Sequence, residues 1–414
     1  MSTARLLKSP GISLAALLFL SVMLLTAWNL HAVRGDAVPV PAGLPGARPI
    51  IEAAKYPSLQ AALDAIPAEG GVVRIPPGTF MIHQPLTIRR SDVLIEGSGT
   101  ATLIKNQNED GQPAIVIAHP QGDKAPRDEQ IWRVQLANLR IVGNPKSGTG
   151  IHATLVNEIF LHGVTVSYHG GDGIFLDRCY EDPRVANCLI TYNKGTGLDV
   201  SGCHDIVVSG NQFEENRDAL HCFDAYNLCM TGNNIDDHLR HGVVIENTYG
   251  SVLSGNMIEE CNGTAIILDR DCYGITLSAN VIAHNGGGID LRDAHGCTVS
   301  ANTLTINANH GVRVGPASGR IAVTGNTFAN SYIGDGQVKR GTNDLKAAGL
   351  TLEDTSDVAV SGNVFASVQP KAVEMVGKPS QRIVFSNNVL TDVQSDHESL
   401  KDSAIHSLIL PQGK

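Results

Sequence analysis

Carboxylate, imidazole and guanidinium groups recur at matched intervals through the middle of this chain, and their types suit proton transfer. Asp199 and His221 stand 22 residues apart. A carboxylate beside an imidazole orients the ring and favours its charged form, as acid–base chemistry requires. Glu246, Asp269 and Arg292 follow one another in steps of 23 residues, and Asp290 and Arg313 are separated by the same step. Two carboxylates brought side by side repel, so either a cation binds or one pKa rises. Glu246 and Asp269 are therefore the candidate metal ligands, and their hard oxygen donors suit Ca²⁺. Arg292 and Arg313 could neutralise an anion. Arg240-His241 adds a further candidate pair for catalysis, and His310 a candidate contact to a ligand.

The intervals come from a repeat. Nine times a Gly or Ala opens a short apolar strand, from Gly173-Ile174-Phe175-Leu176 through Gly197, Ala219, Gly242, Ala265, Gly288, Gly311 and Gly349 to Ala372. An Asn follows each opening residue after 14 to 16 positions: Asn187, Asn211, Asn233, Asn256, Asn280, Asn302, Asn326, Asn363 and Asn388. Self-similarity of this length means a solenoid. With strand periodicity and no room for two helices per repeat, it means an all-β parallel β-helix of roughly a dozen coils. The repeated Asn reads as structural. It tolerates the left-handed conformation of a tight turn and can hydrogen-bond along the axis as a ladder.

Alternation then sorts the side chains. In Gly-Ile-x-Leu the Ile and Leu face the core and x faces solvent. The x column reads Phe175, Asp199, His221, Val244, Ile267, Asp290, Arg313, Thr351 and Glu374. A neighbouring column reads Asp177, Ser201, Phe223, Glu246, Asp269, Arg292, Gly315 and Glu353. Together they make one long face, with Asp177, Phe175 and Phe223 as candidate substrate contacts. Exposed strand faces are usually polar and cross-rung Asp–Arg pairs often only relieve repulsion, so a structural reading stands beside the functional one. The spacing from Asn to the next opening residue is 8 to 10 in most coils but 23 between Asn326 and Gly349. The surplus, Ala329 to Ala348, reads as a loop that offers Lys339 and Arg340 to a ligand.

The ends of the chain read differently. Arg5 and Lys8 precede an apolar run from Gly11 to about Trp28, so residues 1–32 read as a signal peptide or a membrane anchor, with both readings open. Basic residues before the run place the remainder outside the cytoplasm. Residues 33–48, rich in Pro, Gly and Ala, read as a linker, and 49–414 as the β-helix domain. Tyr56 to Ile66 reads as a short helix capped by Ser58, which would cover the open end of the solenoid. A formal net charge of −10 without a long basic run argues against nucleic-acid binding. All eight cysteines lie between Cys179 and Cys297; Cys179 and Cys203, at the same place in successive coils, are within disulfide reach.

The segment Tyr56–Lys105, with Leu59-Gln60-Ala61-Ala62-Leu63-Asp64-Ala65 and Ile75-Pro76-Pro77-Gly78-Thr79-Phe80, resembles the opening of pectate-lyase-like proteins. The repeats behind it, to about residue 410, resemble the carbohydrate-active β-helix domains of that superfamily. The resemblance implies a right-handed coil, consistent with the handedness of parallel crossovers; the elongated face suits a linear polysaccharide as partner, and the N-terminal segment an exported protein, expected to be a monomer. Arg240-His241-Gly242-Val243-Val244-Ile245, Ile267-Leu268-Asp269-Arg270 and His310-Gly311-Val312-Arg313-Val314 are similar to the rungs of mannuronan C5-epimerases. That family carries Asp-Pro-His-Asp on a preceding rung. Here His221-Cys222-Phe223-Asp224 stands in its place, so only Asp224 carries over. Either His221 substitutes for the family's His, or the substrate differs, or the chain is no epimerase.

For uronate lyase or epimerase chemistry, Arg292 or Arg313 would neutralise the sugar carboxylate and His221 or His241 would exchange protons, with Asp199 orienting His221. A glycoside hydrolase would instead need two carboxylates, for which Asp177 with Asp199, or Asp269 with Asp290, are available. Gly171-Asp172-Gly173-Ile174 and His310-Gly311 echo polygalacturonases, although their paired Asp-Asp is absent. A non-catalytic glycan-binding β-helix, or one assisting metal delivery, is the third class.

Overall fold

The computed structural model describes residues 44–330 and 346–394. The apolar N-terminal segment, the part of the insertion that carries Lys339 and Arg340, and the last 20 residues lie outside the described residues. From Arg48 onward the chain is one compact unit, a right-handed parallel β-solenoid of about 14 turns with almost no helix.

One sheet carries the face foreseen from the alternation. Its twelve strands, in spatial and chain order, are β1 (Leu86–Ile88), β2 (Ile115–Ala118), β3 (Ile151–Thr154), β4 (Ile174–Asp177), β5 (Leu198–Ser201) and β6 (Leu220–Phe223). They continue as β7 (Val243–Glu246), β8 (Thr264–Asp269), β9 (Gly287–Leu291), β10 (Val312–Val314), β11 (Leu350–Glu353) and β12 (Val373–Val376). Of the remaining described strands, 27 join in a continuous parallel sheet, and Ile131–Trp132 pairs with Val156–Asn157 apart from it. Each regular coil gives it two short strands, such as Val207–Ser209 and Gln212–Glu214, on either side of the repeated Asn.

The repeated Asn does what the ladder reading requires. From Asn211 to Asn363 each side-chain amide donates to the Oδ1 of the Asn one coil on, at 2.9–3.0 Å, and that oxygen also accepts the backbone N–H of the preceding Asn. Two details differ from expectation. The left-handed residue is the one before the Asn (Gly210, Gly232, Gly255, Ala279, Ala301, Gly325, Gly362 and Asn387), because the Asn itself must point inward at the corner. In the first regular coil the ladder position is Cys188, whose N–H donates to Asn211 Oδ1, while Asn187 takes the left-handed place.

A second ladder runs five residues later, through His169, Asn193, Asn216, His238, Cys261, Asn285 and Asn307. Asn193 donates to Asn216 at 2.8 Å and Asn285 to Asn307 at 3.1 Å. Between the ladders and the inward Ile, Val and Leu side chains the interior is closed. The N-terminal end is covered as expected by a short helix, α1 (Leu59–Asp64), whose Ser58 Oγ accepts the Ala61 N–H at 3.1 Å and which buries Ala62 and Leu63. All eight cysteines are free. Cys179 and Cys203 are coil neighbours, but the Cys179 N–H donates to the Cys203 sulfur and both thiols donate to backbone carbonyls.

Candidate active site

The outward columns are in register. Phe175 pairs with Asp199, Asp199 with His221, His221 with Val244, Val244 with Ile267, Ile267 with Asp290, and Asp290 with Arg313. In the neighbouring column Phe223 pairs with Glu246 and Glu246 with Asp269. Two charged groupings result, separated in the x column by Val244 and Ile267. Outward position does not guarantee exposure, contrary to the simple alternation: Ile267 is 1% and Asp290 5% exposed.

The first grouping centres on His221. Its Nδ1 lies 3.1 Å from Asp199 Oδ1 and its Nε2 3.1 Å from Glu246 Oε2. Ionised carboxylates only accept, so both ring nitrogens must donate and the ring is an imidazolium. Burial opposes that charge, but Asp199 and Glu246 outweigh it and raise the His221 pKa. Phe223 lies nearly parallel to the ring, with centroids 6.4 Å apart. The second oxygen of Glu246 faces Arg270 Nε at 3.1 Å.

The second grouping is built on Asp290. It accepts from Arg292 Nε at 2.8 Å and from an Arg313 terminal nitrogen at 2.7 Å. Burial would raise its pKa, yet the two arginines hold it below the ordinary value. Asp290 is thus a fixed anion that anchors two cations. Arg313 also binds Glu353 at 2.9 Å, and Arg292 approaches Asp269 at 3.6 Å. Glu246 and Asp269 do not turn toward a shared cation: Arg270 answers one and Arg292 the other, so the repulsion that suggested Ca²⁺ is met by guanidinium groups.

A third column, absent from the sequence reading as a column, is formed by the residue just before each opening Gly or Ala: Asp172, Thr196, Asp218, His241, Thr264, Gly287 and His310. His241 Nδ1 accepts the Thr264 N–H at 3.0 Å, which leaves its proton on Nε2. Burial lowers its pKa, against Asp218 and with Arg240 and Arg292. His310 is likewise lowered by burial, and its Nε2 is buried without a hydrogen bond. Both rings need glycine beside them: a Cβ at Gly263 would stand 2.4 Å from His241 Nδ1, and one at Gly287 2.6 Å from the His310 ring.

Asp218 is 1% exposed and gathers Arg240 (2.8 and 2.5 Å), Arg217 (3.2 Å) and the His241 N–H (2.9 Å). Arg240 is therefore committed to Asp218. Asp172 accepts the Thr196 N–H at 2.7 Å; burial raises its pKa, with Asp199 adding and Arg217 and His221 opposing. Asp172 and Asp218 could have been found by reading one position before each strand.

The other candidates stand elsewhere on the coils. Asp177 is held by its neighbour Arg178 at 2.7 and 2.9 Å, and Arg178 also reaches Asp123. Phe175 packs on His152, with ring centroids 4.9 Å apart. Asp224 sits exposed in the left-handed turn after β6 and accepts from Asn247 at 3.0 Å.

Residues 187–345 match a family model described as periplasmic copper-binding protein (NosD). No curated protein matches the chain. Among solved structures, a double mutant of the periplasmic alginate epimerase AlgG is 15% identical, covering 82% of this chain and 83% of that one, with a TM-score of 0.55. The family 28 exopolygalacturonase of Yersinia enterocolitica is 14% identical, covering 84% and 76%, with a TM-score of 0.53. Tailspike protein 3 of bacteriophage CBA120 is 12% identical, covering 91% and 69%, with a TM-score of 0.59. The chain spans 62% of the length of a further match, ORF18 of Geobacillus virus E2. At these identities the likeness is one of fold.

Proposed function

We propose that this right-handed parallel β-helix is an exported protein acting on a linear polysaccharide, as a lyase or C5-epimerase of a uronate-containing glycan. The observation that carries this reading is the imidazolium of His221, held by Asp199 and Glu246 on an elongated sheet face, with arginines on the coils that follow. AlgG, described as a periplasmic alginate epimerase, and the exopolygalacturonase support a glycan as partner at the level of shared architecture. The word periplasmic in the descriptions of AlgG and the NosD family agrees with the export reading of residues 1–32.

The chemistry needs an acid and a base with opposed tuning. His221 holds its proton and serves as the acid. His241, one coil on with its pKa lowered by burial, serves as the base through Nδ1 once the bound sugar displaces the Thr264 N–H that this nitrogen accepts in the free chain. Arg270 and Arg292, both more exposed than Arg313, neutralise the sugar carboxylate and so acidify the C5 proton. In a lyase the base takes that proton, the C–H electrons form the C4=C5 bond, the C4–O bond breaks and His221 protonates the departing oxygen. In an epimerase His221 returns a proton to C5 from the opposite face.

The test is to incubate the full chain with a panel of uronate polymers, with and without Ca²⁺. Ultraviolet absorbance reports unsaturated ends and NMR reports inversion at C5 and chain shortening. Unsaturation or inversion that His221→Gln abolishes while binding persists is the expected result. Silence across the panel overturns the reading, and shortening without unsaturation moves the assignment to a hydrolase that uses Asp172 and Asp199.

A metal-handling reading has one observation behind it. Within the span that matches the NosD model, donor atoms of Glu259, Glu260 and His284 lie within 4.8 Å of one another. Two carboxylates and one imidazole fit a hard divalent cation better than copper, and the softer thiols are directed to backbone carbonyls. Calorimetric titration of Cu²⁺ and Ca²⁺ against the chain and His284→Ala decides it.

A further inference from the structure

We propose that an aromatic column beside the charged face is a second binding strip, which takes neutral pyranose residues of the same linear polysaccharide; the inference rests on the glycan reading above. The column is Tyr180, His204, Tyr226, Tyr249, Tyr273 and His295. Each stands seven residues after its opening Gly or Ala, except Tyr273 at eight. Parallel bridges join His204, Tyr226, Tyr249 and Tyr273 in register, and Tyr273 pairs with His295. Ring centroids from Tyr180 to Tyr273 are 4.3 to 5.3 Å apart.

Four of the eight tyrosines in the chain lie in this one strip, so it is not a scatter of surface aromatics. A stack that served the coil alone would be expected inside, where Phe328, Phe365 and Phe385 form one at 0–1% exposure. The tyrosine strip is outside, with Tyr226 38% and Tyr273 50% exposed. Its rings are tilted by 40° to 89° from one another, so edges and parts of faces stay open. The Tyr249 hydroxyl donates to Asn247 Oδ1, whereas those of Tyr226 and Tyr273 have no partner among the described residues.

The chemistry of the strip selects its occupant. A tyrosine joins an apolar ring to a polar tip, and a pyranose likewise has apolar faces and a rim of hydroxyls. Rings that recur at the coil rise of about 4.8 Å can meet successive sugars of an extended chain lying along the rod. The strip begins three residues beyond the last residue of β6 and β7, so it continues the charged face. Asp205 and Asp224, held by Asn227 and Asn247, give it a negative rim. That rim favours the neutral residues of the chain over its uronates at this strip, and it disfavours nucleic acid, which needs a basic groove. The strip ends in a groove of about 420 Å³ between Tyr273, His295, Asp271 and Arg320, where Gly296 has open space around it.

The experiment is titration calorimetry of the full chain with a soluble linear mannan, a soluble linear glucan and two polyuronates. At least one neutral polymer should bind, and Tyr226→Ala/Tyr273→Ala should weaken it about tenfold or more, while Tyr226→Phe/Tyr273→Phe keeps most of the affinity. Gly296→Asn, which Asn can adopt at the left-handed φ, should obstruct the groove with the rings in place and decides the matter if the alanine pair does not fold. His221→Gln should bind the neutral polymer as the parent does. Binding unchanged by Gly296→Asn and by the alanine pair, or no neutral polymer bound by the parent, overturns the strip. Absence of uronate chemistry in the parent, with strip binding intact, would overturn only the reaction proposed above.

Discussion

His221 keeps its proton because two carboxylates on different coils hold both of its N–H groups. Its pKa is raised from the ordinary value of 6.5, so turnover that depends on the protonated ring should persist at 6.5 and fall as pH rises through the higher folded value. Asp199→Asn removes one of the two anions and should move that limb toward acid; a kcat/KM profile of both proteins checks the shift. Asp218→Asn leaves the half-exposed Arg240 and Arg217 facing a neutral partner, where water can solvate them, and weakens the buried acceptor of the His241 N–H, so it should cost on the order of 1–2 kcal/mol. Urea denaturation of parent and variant measures it, and His241 should lose its position at the same time because its N–H rests on the same carboxylate.

The elements that position these residues are held by the two corner ladders. Asn280→Ala removes the acceptor for both the amide and the N–H of Asn256. Two buried donors left unpaired should destabilise the solenoid by about 2–4 kcal/mol, measurable in the same denaturation. The second ladder is built less uniformly, because His169 and His238 occupy places where other coils have Asn. Both are fully buried and their pKa values are pushed down to about 4, chiefly by burial. In the unfolded chain they protonate near 6.5, so between 6.5 and 4 the unfolded state binds more protons and stability falls with falling pH. The contribution is whole above 6.5 and is lost by about 4, on the order of 3 kcal/mol for each ring. His238→Asn should flatten this part of the stability–pH curve, as comparison of denaturation midpoints at neutral and acid pH will show.

At the scale of the whole molecule, the chain carries a formal charge of −10, and acidic groups interleave with arginines along one face of the solenoid. A polyuronate therefore approaches against net repulsion, and the arginines act only at close range. Salt screens the long-range term more than the close pairs. Raising ionic strength from low values to about 0.15 M should consequently lower the apparent KM for a polyuronate, and should leave binding of a neutral polymer to the tyrosine strip unchanged. Steady-state kinetics and calorimetry across a salt series test both.

The coil period, the inward and outward columns, the first Asn ladder and the capping helix were legible in the sequence. Each is set by an interaction that repeats locally: alternation along a strand, a buried amide at a fixed corner, Ser58 ahead of an apolar helix face. The partners across coils were not. Whether Glu246 meets a cation or Arg270, and whether Asp290 is open or locked between Arg292 and Arg313, depends on how far long side chains reach, over a neighbour two residues along the chain or one 23 or 24 residues away. The Asp172 and Asp218 column, the second ladder and the tyrosine strip were written in the spacing, at one position before the opening residue, five after the Asn, and seven after the opening residue. They lie in turns, where no strand alternation marks a side chain as inward or outward, and the 8-to-10-residue variation between coils blurs the register. Only the stacked coils fix which turn residues share a column, because backbone hydrogen bonds between adjacent strands set that alignment and the intervening loops absorb the difference in length.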